Sequence, residues 1–277
     1  GINFLSAVAN SPDKKVPIGK RAAVVGGGNS AIDCVRTLLR LGCEEVYIVY
    51  RRTRKEMPAN EVEIVASEHE GIKFQFLAAP TRVIDDGQGN VKGLEYLQME
   101  LGEPDASGRR RPVPIEGSET TLDVDMVISA ISQQPDIGFM EGEPDKENIA
   151  ITRWNTFDND PETLQCSVPY LFTGGDVATG PALVVDAIGG GRRAARAIHQ
   201  YITGEEIKGS PRSLRKRHIP ESLFETVPGV VASPRTPMPE LPVAERITSM
   251  IEVDQVISES DANHESNRCL DCCRICY

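Results

Sequence analysis

The segment AVVGGGNSAIDCVRTLLRLGCEEVYIVYRR, residues 22–52, limits the fold more than any other stretch. A short apolar run enters three glycines. Ile32, Val35, Leu38 and Leu39 then recur at helical spacing, and Gly42 stands where such a helix would end. EVYIVYR follows, rich in β-branched and aromatic residues and therefore suited to a strand. Strand, glycine turn, helix and strand in that order make half of a parallel α/β unit. Gly26, Gly28 and Ala31 form G-x-G-x-x-A at the strand-to-helix junction. The first glycine allows the tight turn, the second lets a pyrophosphate approach the backbone, and the small third residue lets helix and strand pack closely. Free N–H groups at the helix start, backed by the helix dipole, favour a phosphate there, with Asn29 and Ser30 as further hydrogen-bonding groups.

The second strand runs into Tyr50-Arg51-Arg52. An NAD site commonly presents an acidic residue to the ribose 2′-hydroxyl at this place, and a carboxylate would repel a 2′-phosphate. Guanidinium groups can grip one through charge-assisted hydrogen bonds. Arg51 and Arg52 therefore point to NADPH as the coenzyme; a solvated basic edge formed with Arg54 is the plainer alternative.

The bulk composition agrees with an α/β core. Of the 277 residues 40% are hydrophobic and only 5% aromatic, so the apolar mass comes from Val, Ile, Leu and Ala, as buried parallel strands require. A formal charge of −11 argues against a general nucleic-acid binder. No apolar run is long enough to span a membrane, and GINFLSAVANSPDKK lacks the features of a signal peptide. Seven cysteines, four of them at the end, do not resemble a secreted disulfide framework, and a cytoplasmic location is expected.

Along the chain, GINFLSAVAN suits a short helix, EVEIVASEHEG a second long one and IKFQFLAA a third strand. TRVIDDGQGNVKGLEYLQMEL alternates around a turn signal and reads as a hairpin or meander. DASGRRRPVP reads as a solvated loop, TLDVDMVISAI as an apolar strand and NIAIT as a strand candidate. YLFTGGDVATGPALVVDAIGGGRRAARAIHQYITG repeats the opening order of strand, glycine turn and helix. Beyond about residue 205 the chain is proline-rich and is expected to wrap a surface or another subunit rather than build its own core.

Three of these blocks carry a family resemblance. GGGNSAIDCVRTLLRLGCEEVYIVYRRTRKEMPA followed by EVEIVASEHEGIKF resembles the NADPH-binding domain of the small (beta) subunit of glutamate synthase, within the wider group of two-dinucleotide flavoproteins. DMVISAISQQPD is similar to the strand by which that group returns to its flavin domain, and LFTGGDVATGPALVVDAIGGGRRAARAI to its C-terminal flavin motif. The resemblance implies an α/β fold in which a Rossmann-like NAD(P)-binding domain, a parallel sheet with a β-meander, is inserted in a partial FAD-binding domain. The implied divisions are a connecting helix in residues 1–19, the NADPH domain in 20–133, the C-terminal part of the FAD domain in 134–205, and a Pro-rich tail with a Cys cluster in 206–277.

The same resemblance implies an NADPH-dependent oxidoreductase passing hydride to FAD and electrons onward to an iron–sulfur protein or a glutamate synthase large-subunit-like partner. Gly175 and Asp176 would meet the FAD ribityl chain or a nearby oxygen. Pro181, Ala182 and Leu183 would begin the helix facing the flavin. A turn with an N-cap is the plainer reading of Gly174-Gly175-Asp176. No side chain is required as an acid or base, so no catalytic residue is assigned. The flavin domain's own first glycine turn is expected ahead of residue 1, so the chain reads as a fragment of a longer protein. Ser132 departs from the group, which has glycine there.

Cys269, Cys272, Cys273 and Cys276 follow the spacing C-x-x-C-C-x-x-C. Such thiolates can hold a 4Fe–4S cluster or zinc, and an unligated tail is the remaining reading. Gly189 to Gly191 interrupt a helical pattern, which calls for either a close backbone approach or a break. Two rival functions remain at this point: a single-cofactor NADP dehydrogenase with its substrate site in residues 134–205, and a non-catalytic nucleotide-binding assembly or sensor subunit.

Overall fold

A four-stranded parallel sheet is built from β1 (Arg21–Val25), β2 (Glu45–Tyr50), β3 (Lys73–Phe76) and β8 (Met126–Ser129), in spatial order β3-β2-β1-β8. The structure is a computed structural model describing residues 1–11, 15–105, 108–209 and 233–268. Val24 lies opposite Ile48 on one side and Ile128 on the other, so β1 is central and buried on both faces. Alternate residues of the strands go to opposite faces, as the period of two demands. Ala22, Val24, Ile48 and Ile128 pack with α1 (Ile2–Asn10), α2 (Asn29–Arg40) and α3 (Glu61–His69). Ala23 and Val49 pack instead with Leu94, Tyr96 and Val124.

That second face is covered by an antiparallel meander of β4 (Ala78–Asp85), β5 (Val91–Pro104), β6 (Arg110–Pro114) and β7 (Thr120–Leu122). IKFQFLAA is therefore not one strand. Leu77, at φ +53°, separates β3 from β4 and turns the chain from the parallel sheet into the meander. RRPVP is a strand rather than a solvated loop, because the long β5 offers it an edge: Glu100 lies opposite Val113 and Leu101 opposite Pro112. TLDVDMVISAI divides into β7 and β8.

The chain forms two compact units, residues 1–131 with the described C-terminal residues, and the described residues from 132 onward up to 209. In the first unit, Phe4 and Leu5 of α1 pack against the helix-side core. The described tail, with α6 (Val243–Arg246) and α7 (Glu259–Asn267), also belongs to this unit. Leu241 N–H donates to the Val253 carbonyl at 2.9 Å, and Arg268 Nε to the Ser233 carbonyl at 3.0 Å, so the segment closes on itself.

The second unit has its own small core of Met140, Ile149, Phe157, Cys166 and Val168. It carries α4 (Asp176–Thr179) and α5 (Val184–Thr203). Among its described residues, NIAIT gives only an isolated bridge, Ile151 to Phe157, and LF gives one at Phe172.

Candidate functional site

The glycine turn sits at the carboxyl end of β1, where open α/β sheets hold their ligands. Each glycine has a different reason to be there. Gly26 has φ +143°, and a β-carbon on it would stand 2.3 Å from the Ala130 carbonyl oxygen. A β-carbon on Gly27 would meet the Tyr50 ring at 2.7 Å. Gly28 is different: its backbone is extended, and the nearest atom to an added β-carbon is Pro58 Cγ at 3.9 Å. The space beside Gly28 is left open by the protein, whereas the other two glycines are enclosed by it.

Gly28 is the N-cap of α2 and has no side chain with which to cap it. Among the described residues no group accepts from the N–H groups of Gly28, Asn29 or Ser30. Unclaimed donors at a helix N-terminus are an anion site in waiting. Ala31 is fully buried and lets α2 lie close on β1. The fit to a pyrophosphate is thus carried by three free amides and an open approach at Gly28.

Asn29 has another occupation. Its Oδ1 accepts from the Asn60 N–H at 2.9 Å, tying the start of α2 to the N-cap of α3. Ala59 N–H donates to the Gly27 carbonyl at 3.2 Å beside it. Residues 53–60 therefore form a brace along the turn. The signal for it was present as T-R-K-E: Thr53 and Glu56 make a capping box, with Glu56 accepting from the Thr53 N–H at 3.2 Å.

The two arginines after β2 part company. Arg51 is exposed, and its side chain makes no ion pair or hydrogen bond among the described residues. Arg52 is 5% exposed; its guanidinium pairs with Asp105 at 2.8 Å and donates to the Arg110 carbonyl at 2.7 Å. It holds the β5–β6 hairpin to the end of β2, and a group so engaged is not available as Arg51 is. Arg54 pairs with Glu61 at 2.7 Å and Glu68 at 2.9 Å.

In the second unit, Gly175 has φ +71° and caps α4, while the Asp176 carboxylate accepts from the Ala182 N–H at 3.3 Å. That bond holds Pro181 and Ala182 in a turn. α5 therefore starts at Val184, with extended Leu183 as its N-cap, three residues later than the expected start at Pro181. No side chain caps α5, and Leu183, Val184 and Val185 are each more than 60% exposed. The residues fit a flavin in chemistry: an uncapped helix end, an acidic group and an apolar collar.

The three-glycine question is settled here. α5 is unbroken from Val184 to Thr203, and a β-carbon on Gly190 would lie 3.2 Å from the Gly175 nitrogen. Gly190 is a close backbone approach, whereas nothing lies within 4 Å of a β-carbon on Gly189 or Gly191. An open pocket of about 450 Å³ is lined by Gly174, Gly175, Asp186, Gly190 and Arg193, among others.

Three thiols are buried. Burial pushes Cys34 up to about 11, with Asp33 adding to the shift, and it also raises Cys43 and Cys166. They are core groups. Cys269, Cys272, Cys273 and Cys276 lie outside the described residues. No helix among the described residues is long and apolar enough to cross a membrane.

Residues 4–191 match the family described as pyridine nucleotide-disulphide oxidoreductase. The chain is 40% identical over 261 residues to the NADP(+)-dependent formate dehydrogenase subunit beta of Moorella thermoacetica, covering 93% of this chain and 36% of that protein. It is 38% identical to the NADPH-Fe(3+) oxidoreductase subunit beta of Geobacter sulfurreducens, covering 99% and 44%. To the glutamate synthase [NADPH] small chain of Azospirillum brasilense it is 40% identical, covering 66% and 37%. The chain thus spans less than half the length of these relatives. In fold it matches Mycobacterium tuberculosis FprA in complex with NADPH, with a TM-score of 0.50, 16% identity and coverage of 69% and 55%. The parallel sheet with its meander, the glycine turn at its carboxyl edge and the matching family model agree: the chain belongs to the pyridine nucleotide-disulphide oxidoreductase family.

Proposed function

We propose that the chain binds NADPH at the glycine turn ahead of α2 and serves an NADPH-dependent flavoprotein oxidoreductase, with hydride passing from NADPH to FAD. The observation that carries this reading is Gly28, an open, unstrained glycine between free helix N-terminal amides. Arg51 is the cation offered to the 2′-phosphate. Asn29 acts through Asn60, and Arg52 through the hairpin it anchors, rather than as phosphate ligands. Relatives whose names specify NADPH or NADP(+) support the coenzyme.

The second unit would contribute Gly175, Asp176 and the start of α5 to the flavin site. A bound flavin would supply the change from two-electron to one-electron chemistry. The chain's own groups bind and orient, and none acts as an acid or base. The terminal cysteines would hold a 4Fe–4S cluster, and electrons would leave to an iron–sulfur or glutamate synthase large-subunit-like protein. Several relatives are named as subunits, which supports a partner.

A pair of variants tests the coenzyme site. Gly28→Ala should fold as the wild type does, since its φ and surroundings accept a methyl group, yet lose NADPH affinity by about tenfold or more. Calorimetric titration with NADPH and NADH should show the wild type preferring NADPH by at least about tenfold, and Arg51→Ala should remove that preference. Unchanged NADPH binding by Gly28→Ala would refute the reading. Iron content of anaerobic preparations, before and after Cys269→Ser, tests the cluster.

A further inference from the structure

Tyr50 stands between the two halves of the coenzyme site and touches both. Its ring lies over Gly27, so close that a β-carbon there would sit 2.7 Å from Cδ2. Its hydroxyl reaches the other way and donates to the Glu56 carbonyl at 2.8 Å. Glu56 closes the capping box with Thr53, so this bond fixes the segment 53–56, which includes Arg54 and Lys55 and is separated from Arg51 by Arg52 alone. The side chains of Arg51 and Lys55 are exposed and make no ion pair or hydrogen bond among the described residues.

The next residue is held as firmly. Leu77 N–H donates to the Arg52 carbonyl at 3.1 Å, and the Arg52 side chain is anchored on Asp105. Arg51 is thus an exposed cation on a backbone pinned at both neighbours. A long side chain loses much freedom on gripping a phosphate, and a fixed backbone reduces what must be ordered at that moment.

We infer that Tyr50 is the positioning residue for coenzyme choice: its hydroxyl registers the cationic segment 51–56 against the pyrophosphate turn, so that the 2′-phosphate meets Arg51 already in place. The inference rests on NADPH binding at this turn. It gives the choice between two coenzymes to a residue whose hydroxyl is engaged by the protein's own Glu56 carbonyl. NADH uses the turn but not the cations, so loss of the hydroxyl weakens NADPH alone.

Tyr50→Phe keeps the ring on Gly27 and removes only the bond to Glu56. Calorimetric dissociation constants for NADPH and NADH, measured on the full chain with a thermal melt of each protein, test the inference. The expected result is an NADPH affinity about fivefold weaker in Tyr50→Phe, with NADH binding unchanged. If the variant keeps the wild-type preference, or weakens both coenzymes alike, the positioning role is overturned while the coenzyme site stands. A wild type without preference for NADPH would instead remove the reading beneath it. Adenosine 2′,5′-bisphosphate and AMP should repeat the split, because they differ in the same phosphate.

Discussion

Arg246 Nε lies 3.1 Å from Oε1 of Glu70, with the two side chains 2% and 0% exposed. The pair joins the tail to the C-cap of α3, and it is ionic, since this nitrogen makes no well-directed hydrogen bond. Arg36 at 2.8 Å and Arg40 at 3.2 Å converge on the same carboxylate. Glu63 on Arg36 and Glu240 on Arg246 balance the group at three charges of each sign.

Removing the hub of that network should cost more than removing a spoke. Glu70→Gln leaves three guanidinium groups crowded without their common anion, and a loss of about 3–5 kcal/mol is expected. Arg246→Met leaves Glu70 with two partners and should cost less, while freeing the tail for cleavage. Urea unfolding and limited trypsin digestion of residues 233–268 check the order; equal stability of the two variants would contradict it.

The glycines of α5 should separate by position. Gly190→Ala drives a methyl against the Gly175 backbone and should destabilise by about 1–3 kcal/mol. Gly191→Ala meets nothing within 4 Å and should stabilise by roughly 0.5–1 kcal/mol, the usual gain of alanine over glycine in a helix. Opposite shifts in the denaturation midpoint are the expected observation.

Ser132 occupies a backbone conformation with φ +103°, which a side chain rarely adopts. Its hydroxyl makes one long contact, 3.4 Å to the Gln133 carbonyl, which offsets little of the strain. Ser132→Gly should raise stability by about 1 kcal/mol even though glycine loosens the unfolded chain. A destabilised variant would show that the serine is held by more than its local geometry.

Cys34 should give a signature at alkaline pH. Its thiol ordinarily titrates at 9.0, and burial in the folded state moves it to about 11. The unfolded chain then releases its proton first, so the stability contribution is complete below pH 9 and lost as pH rises from 9 toward 11. Cys34→Ala should show a shallower fall over that window than the wild type. Iodoacetamide mapping at neutral pH should likewise find Cys34, Cys43 and Cys166 unmodified in the native protein.

The sequence by itself determined the elements whose cause is local. Strand β1, the glycine turn, α2 and β2 follow from side-chain periodicity and from Gly42, whose φ of +97° ends the helix region. The resemblance to two-dinucleotide flavoproteins was legible for the same reason, since its motifs are short and contiguous. What only the tertiary structure decided depends on partners far along the chain. Arg51 and Arg52 are adjacent and alike in the sequence, yet Asp105, 53 residues on, claims one of them. RRPVP is a strand only because β5 runs on far enough to pair with it. Gly27 answers to the Tyr50 ring, and Arg246 finds Glu70 across 176 positions. Periodicity reports which face of an element is buried; it carries no record of which charged group from elsewhere arrives to neutralise another, and at this site that arrival sets the role of each side chain.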